Sequence, residues 1–247
     1  MERERGLQAG YHQPAVDYDV SQDKGQLFFG MKAAIPIVIG FIPVSITFGM
    51  VSVQSGISLV NTVLMSGLVF AGASQLMAVN MLMMGAGAVE IVSATFVLNL
   101  RHFIMSMSIM NELKHILKFW KTILSFGLTD ETFSLLAVRA QETKVNQYYI
   151  LGLNFTAYLS WVLGTFVGGS LASVIPETIS SGMAVAIYAM FIGLLVPAVR
   201  ANWRLIMIAV TGAVSCLIIS KMLSSGWSII GGTIVGAVIG VFVLEEE

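Results

Sequence analysis

Residues 33–89 read AAIPIVIGFIPVSITFGMVSVQSGISLVNTVLMSGLVFAGASQLMAVNMLMMGAGAV, 57 residues without an Asp, Glu, Lys or Arg between Lys32 and Glu90. A soluble domain carries about 25% charged residues, and no water-facing surface can be built from such a run. At about 20 residues per crossing it holds at least two membrane spans. The rest of the chain agrees: 56% of its 247 residues are hydrophobic and 11% charged, with a mean hydropathy of +0.85. The expected fold is all-α, a polytopic helical membrane bundle of 7–8 transmembrane segments that includes broken or re-entrant helices. A net charge of −1 leaves no footprint for nucleic acid. The lone Cys216 sits in an apolar run, which excludes a disulfide framework and gives it a packing role.

Residues 1–26 mix Arg3, Arg5 and Lys24 with five carboxylates before any apolar run. They read as a polar cytoplasmic tail, and residues 27–244 as one transmembrane transporter domain. Within that domain the apolar segments run about 27–53, 57–84, 86–110, 116–138, 148–175, 183–199, 203–219 and 227–244. In the first, Pro36 and Pro43 remove backbone donors, so a kink or break is expected. In the second, Gly67, Ala71, Ser74 and Ala78 form a small-residue stripe for close helix approach. Gly164 with Gly168, and Gly232 with Gly236 and Gly240, repeat that spacing. The last stripe suits tight packing, including against a partner subunit. Val69-Phe70-Ala71-Gly72 is echoed by Met190-Phe191-Ile192-Gly193, a hint of internal duplication.

Basic residues in short loops set orientation. With eight crossings and the amino terminus inside, the tail through Lys32, the Arg139/Lys144 loop and the Arg200/Arg204 loop are cytoplasmic. Lys114, Lys118 and Lys121 then fall outside, against the rule. A re-entrant second or fourth segment moves them inside.

Few polar groups interrupt the apolar segments, and an ionisable residue at membrane depth is by default a candidate functional residue. Gln75 is expected to line a polar cavity. Glu90 and Arg101 share a helix face but lie roughly 16 Å apart, so they are not a pair; Glu90 sits nearer the headgroups. Asn99 and His102, three apart, are surface neighbours. Asp130 and Glu131 either end a span at water or serve an internal cavity. Gln75, Asn99 and Arg101 are the candidates for substrate binding, His102, Asp130 and Glu131 for proton coupling, and Pro43 and Gly72 for helix breaks or packing. A zwitterionic amino acid needs donors for its carboxylate, acceptors for its ammonium and an apolar wall, and this set supplies all three. It also fits other small anions and zwitterions.

Enzyme signatures are missing: there is no zinc-binding histidine pair, no phosphate-cradling glycine loop and no nucleophile elbow. His12, His102 and His115 are scattered, so no metal site and no cofactor is expected.

Pro36 with Pro43 and Phe48-Gly49, then Phe70-Ala71-Gly72-Ala73-Ser74-Gln75, Asn99-Leu100-Arg101-His102 and Thr129-Asp130-Glu131, in this order, resemble the AzlC family over about residues 28–244. That family forms the large subunit of branched-chain amino acid exporters. The resemblance implies efflux of leucine, isoleucine, valine and methionine or their analogues, driven by protons or membrane potential. It also implies residence in the cell membrane and a small AzlD-like membrane partner. Val44-Ser45 after Pro43 departs from the family's usual glycine. The alternatives are a non-transporting scaffold or regulatory subunit, a channel, and a transporter of another small solute.

Overall fold

A computed structural model of the chain describes residues 20–143, 145–175, 192, 195–196, 199–200 and 202–244. Most of the amino-terminal tail, the segment 183–199 and the second copy of the echo at 190–193 lie largely or wholly outside them. Among the described residues every regular element is a helix.

The first segment forms α1 (Val20–Ala33) and α2 (Ile35–Gln54). The Ala34 joint keeps its ladder bonds, with Ala34 N donating to Gly30 O at 3.1 Å and Val38 N to Ala34 O at 2.9 Å. The expected break at Pro43 does not occur, and α2 runs through it. A single missing donor is tolerated in a helix supported along its length by a neighbour. That neighbour is the helix Gln147–Leu171, numbered α8 below. Along its length, Gly30 of α1 meets the backbone of Tyr149, and Gly49 of α2 meets that of Thr165. At the far end Gln54 Nε2 donates to Ala172 O at 3.1 Å. The two rods are therefore parallel. A Cβ at Gly49 or Gly168 would strike the opposite backbone, so the Gly164/Gly168 spacing serves this contact.

The second segment does not cross. It splits into α3 (Leu59–Val69) and α4 (Gly72–Met83). Leu59 lies beside Gly169 and the Tyr158 hydroxyl donates to Gly67 O at 2.9 Å, so α3 runs antiparallel to α8 as far as its middle. There Phe70 takes φ 45°, ψ 45° and Ala71 takes φ −136°, ψ 78°. The chain turns back, Gln75 Nε2 donates to Ser66 Oγ at 3.1 Å, and Met83 Sδ accepts from Ser55 Oγ at 3.0 Å at the end of α2. Both feet of this hairpin stand at the same end of the molecule. Helices of 11 and 12 residues reach about 16–18 Å at 1.5 Å per residue, half of a hydrocarbon core about 30 Å thick.

The pattern then repeats upside down. After α5 (Ala88–Ile109), antiparallel to α4, come α6 (Lys118–Phe126) and α7 (Asp130–Glu142). Trp120 packs on Tyr148 with ring centres 5.9 Å apart, and the Asn154 amide donates to Leu124 O at 2.8 Å, so α6 climbs α8 from its start. On the way back Arg139 lies over the Phe29 and Tyr149 rings at 5.0 and 5.8 Å. The feet are tied by a His115 Nε2 contact to Val145 O at 2.8 Å. The two hairpins enter from opposite ends and meet tip to tip, where Phe70, Phe126 and Tyr158 pack ring against ring.

The last two helices, α9 (Arg204–Ile219) and α10 (Ser225–Leu244), form an antiparallel pair. Gly232 and Gly236 face Gly212, and Gly240 faces Ile208. The carboxyl-terminal glycine stripe is thus filled from within the chain rather than left for a partner, and Cys216 packs on Gly232. Glu90 Oε1 accepts from Gly226 N at 2.8 Å and from Ser224 Oγ, joining α10 to the start of α5 where a carboxylate suits a helix N-terminus. With these directions Lys32, Lys114, Lys118, Lys121, Arg139 and Arg204 fall at one end of the molecule and Lys221 at the other. Among the described residues four helices, 35–54, 88–109, 147–171 and 226–243, are long and apolar enough to cross a membrane.

Candidate functional site

The hairpin tips bring the dispersed polar motifs to one depth. Where they meet, a cavity of about 30 Å³ is lined by Phe41 and Val44 of α2, Phe70 to Ala73 of the first tip, Arg101 and His102 of α5, Thr129 to Glu131 of the second tip and Trp161 of α8. That is room for no more than a few water molecules, so the space between the tips is narrow in this conformation.

Four of the six predicted binding and coupling residues converge here: Arg101, His102, Asp130 and Glu131. Arg101 Nη1 donates to Asp130 Oδ2, with the two side chains 26% and 28% exposed. Pairing is what makes two charges at this depth bearable. Among the described residues the pair leaves Arg101 Nε buried without a hydrogen-bond partner. His102 Nδ1 lies 3.2 Å from Asn99 O, so its local partner is the backbone of Asn99 rather than its amide.

The two tips differ in how their returning helices begin. Thr129 caps α7, accepting from Thr132 N at 3.3 Å, while Thr132 Oγ1 accepts from Thr129 N at 2.7 Å and donates to Gly127 O at 3.0 Å. This reciprocal box fixes Asp130 and Glu131 in the first turn. The α4 start has Ala71 at its cap position and no side-chain cap. Its first N–H groups are available to an anion. Gly72 opens α4 because the Trp161 indole occupies the space a Cβ would need.

Gln75 and Asn99 stand one layer behind the wall. Gln75 is fully buried; its Oε1 accepts from Trp161 Nε1 at 3.1 Å, and its Nε2 reaches Ser66, whose hydroxyl pairs with Thr165 Oγ1 at 2.8 Å. The Asn99 Oδ1 accepts from Ser74 Oγ. Pro43 lies between the wall residues Phe41 and Val44 without touching the cavity. Sequence reading placed Phe70 and Thr129 in motifs without giving them a wall role, and gave none to Phe41 or Trp161. An aromatic residue in an apolar run carries no mark of where it points.

The sequence model of the AzlC protein family matches residues 36–175, more than half of the chain. The chain belongs to the AzlC protein family. The match is narrower than the span 28–244 over which the motifs resemble the family. It takes in α2 through α8, the whole two-hairpin unit, and leaves α9 and α10 outside. An uncharacterized membrane protein of Archaeoglobus fulgidus is 34% identical over 212 residues, covering 84% of this chain and 90% of that protein. The inner membrane protein YgaZ of Escherichia coli is 32% identical over 56% of this chain and 58% of its own length. The branched-chain amino acid transport protein AzlC of Bacillus subtilis is 26% identical over 72% of this chain and 71% of its own. No solved structure matches. Family and helices together make this AzlC-family chain a multi-pass membrane protein with a role in transport.

Proposed function

We propose that the chain is the large subunit of a secondary exporter of branched-chain amino acids, with its amino terminus in the cytoplasm and a small AzlD-like membrane subunit as partner. The observation that carries this reading is the cavity at the hairpin tips. It combines Arg101, whose Nε has no partner among the described residues, and the uncapped start of α4 with the apolar surfaces of Phe41, Val44 and Trp161. A carboxylate is drawn to the first two, a branched hydrocarbon to the rest. Asp130 and Glu131 supply acceptors for an ammonium group.

The Arg101–Asp130 pair gives the cycle its coupling. While Asp130 is charged it holds Arg101; a proton on Asp130 frees the guanidinium for the substrate carboxylate. Glu131 and His102, on the same wall, relay that proton. Gln75 and Asn99 keep the wall in shape through Trp161 and Ser74. Since 30 Å³ holds no amino acid, the hairpins must part in turn during transport. The inside orientation is supported by the basic residues gathered at one end of the molecule, and the partner by the family alone. Transport of another small solute is the second reading, favoured only by the modest identity to the Bacillus subtilis protein.

Cells lacking this protein and fed leucine-containing peptides should accumulate leucine beyond cells that express it with its partner. Equal intracellular leucine in both would defeat the substrate assignment.

A further inference from the structure

We propose that the exported amino acid is captured in a second cavity, at the lysine-bearing end of the molecule, before it reaches Arg101; the inference rests on the exporter reading. Between α5 and α6 lies a cavity of about 250 Å³ with Ile109, Leu124, Leu128, Leu136 and Ile150 around it and Lys121 on its wall. The five apolar residues are buried core positions. Two of the three lining hydroxyls donate to their own helix, Thr122 Oγ1 to Lys118 O at 3.2 Å and Ser125 Oγ to Thr122 O at 2.8 Å, and the third is that of Ser106 on α5. Lys121 makes no ion pair among the described residues. The cavity therefore offers one cation, with the Ser106 hydroxyl, beside a hydrocarbon bowl. That complements a solute with a carboxylate and a branched aliphatic side chain, and disfavours one with a polar or cationic side chain.

Its position supports a capture role. Leu128 lines this cavity and the next residue, Thr129, lines the central one, so the tip of the α6–α7 hairpin is the wall between them. On α5, Ser106 faces the outer cavity and His102, one turn earlier, faces the inner. One helix face thus runs through both. The tip is tethered to α5 by the Arg101–Asp130 pair, so releasing that pair opens the capture cavity to the central site.

The test uses inverted membrane vesicles from cells expressing the full chain with its partner, and radiolabelled leucine. Lys121→Ala should raise KM about ten-fold with kcat kept, the worth of one charge-assisted hydrogen bond, and Lys121→Arg should restore it. Saturable uptake whose KM is unmoved by Lys121→Ala overturns the capture site and leaves the exporter standing. Absence of saturable leucine uptake by the unaltered chain overturns both. In a Cys216→Ala background, leucine but not glycine should also protect Ser125→Cys from alkylation by a maleimide, and equal labelling with and without leucine overturns the site.

Discussion

Arg101 and Asp130 lie 29 residues apart and were visible in the sequence for the same reason that they matter. A charge in an apolar run is costly unless it is paired or used. Their meeting was not visible, because it depends on the turn that lifts Asp130 to mid-depth. If Asp130 carries the coupling proton, Asp130→Asn should abolish uphill leucine export while sparing leucine–leucine exchange, assayed in vesicles with and without an imposed pH gradient. Equal loss of both modes would assign Asp130 to folding or binding instead. Gln75 makes the opposite case. Its amide reads from sequence as a cavity group, yet its two ends are used by Trp161 and Ser66. Gln75→Leu should leave the indole N–H buried without its acceptor, a loss of about 1–3 kcal/mol. It should lower the thermal midpoint of the purified protein in detergent, and an unchanged midpoint would contradict that network. Phe70 was illegible in a different way. No sequence signal marks a phenylalanine at φ 45°, a conformation held only when surrounding contacts, here Phe41, Phe126 and Tyr158, over-determine it.

The two hairpins set the architecture, and they differ in how far the sequence reveals them. The second carries its own punctuation: Gly127 followed by Thr129 and Thr132 is a helix-start signature inside an apolar segment. The first has none. Residues 57–84 are apolar throughout and add up to a span's length, so composition cannot separate one crossing from two half-crossings. Pro43 pointed to a kink or break in α2, but that helix continues through it, and the chain breaks instead at Phe70-Ala71. Single cysteines test this directly. Asn61→Cys and Met84→Cys, at the feet of the first hairpin, should react with an impermeant maleimide from one face of the membrane, and Glu112→Cys and Glu142→Cys, near the feet of the second, from the opposite face. Labelling of Asn61→Cys and Met84→Cys from opposite faces would restore a continuous second span.

At the scale of the whole molecule, opposed half-helices resolve the orientation conflict that eight plain crossings create. Each hairpin returns the chain to its starting side, so Lys114, Lys118 and Lys121 join Arg139 and Arg204 at one end. Membrane class and the charged part of the site were legible because they rest on composition, whereas the inversion relating span and hairpin to span and hairpin rests on backbone direction, which no residue count records. Under the proposed function, the cavity between the tips carries branched-chain amino acids on Arg101. The most direct test is gradient-driven uptake of radiolabelled leucine into inverted vesicles containing the chain and its partner, compared with Arg101→Ala at matched protein level. Uptake that saturates, is competed by isoleucine and valine and is lost in Arg101→Ala is the predicted result; leucine uptake indifferent to Arg101→Ala, or no higher than in vesicles without the chain, would contradict it.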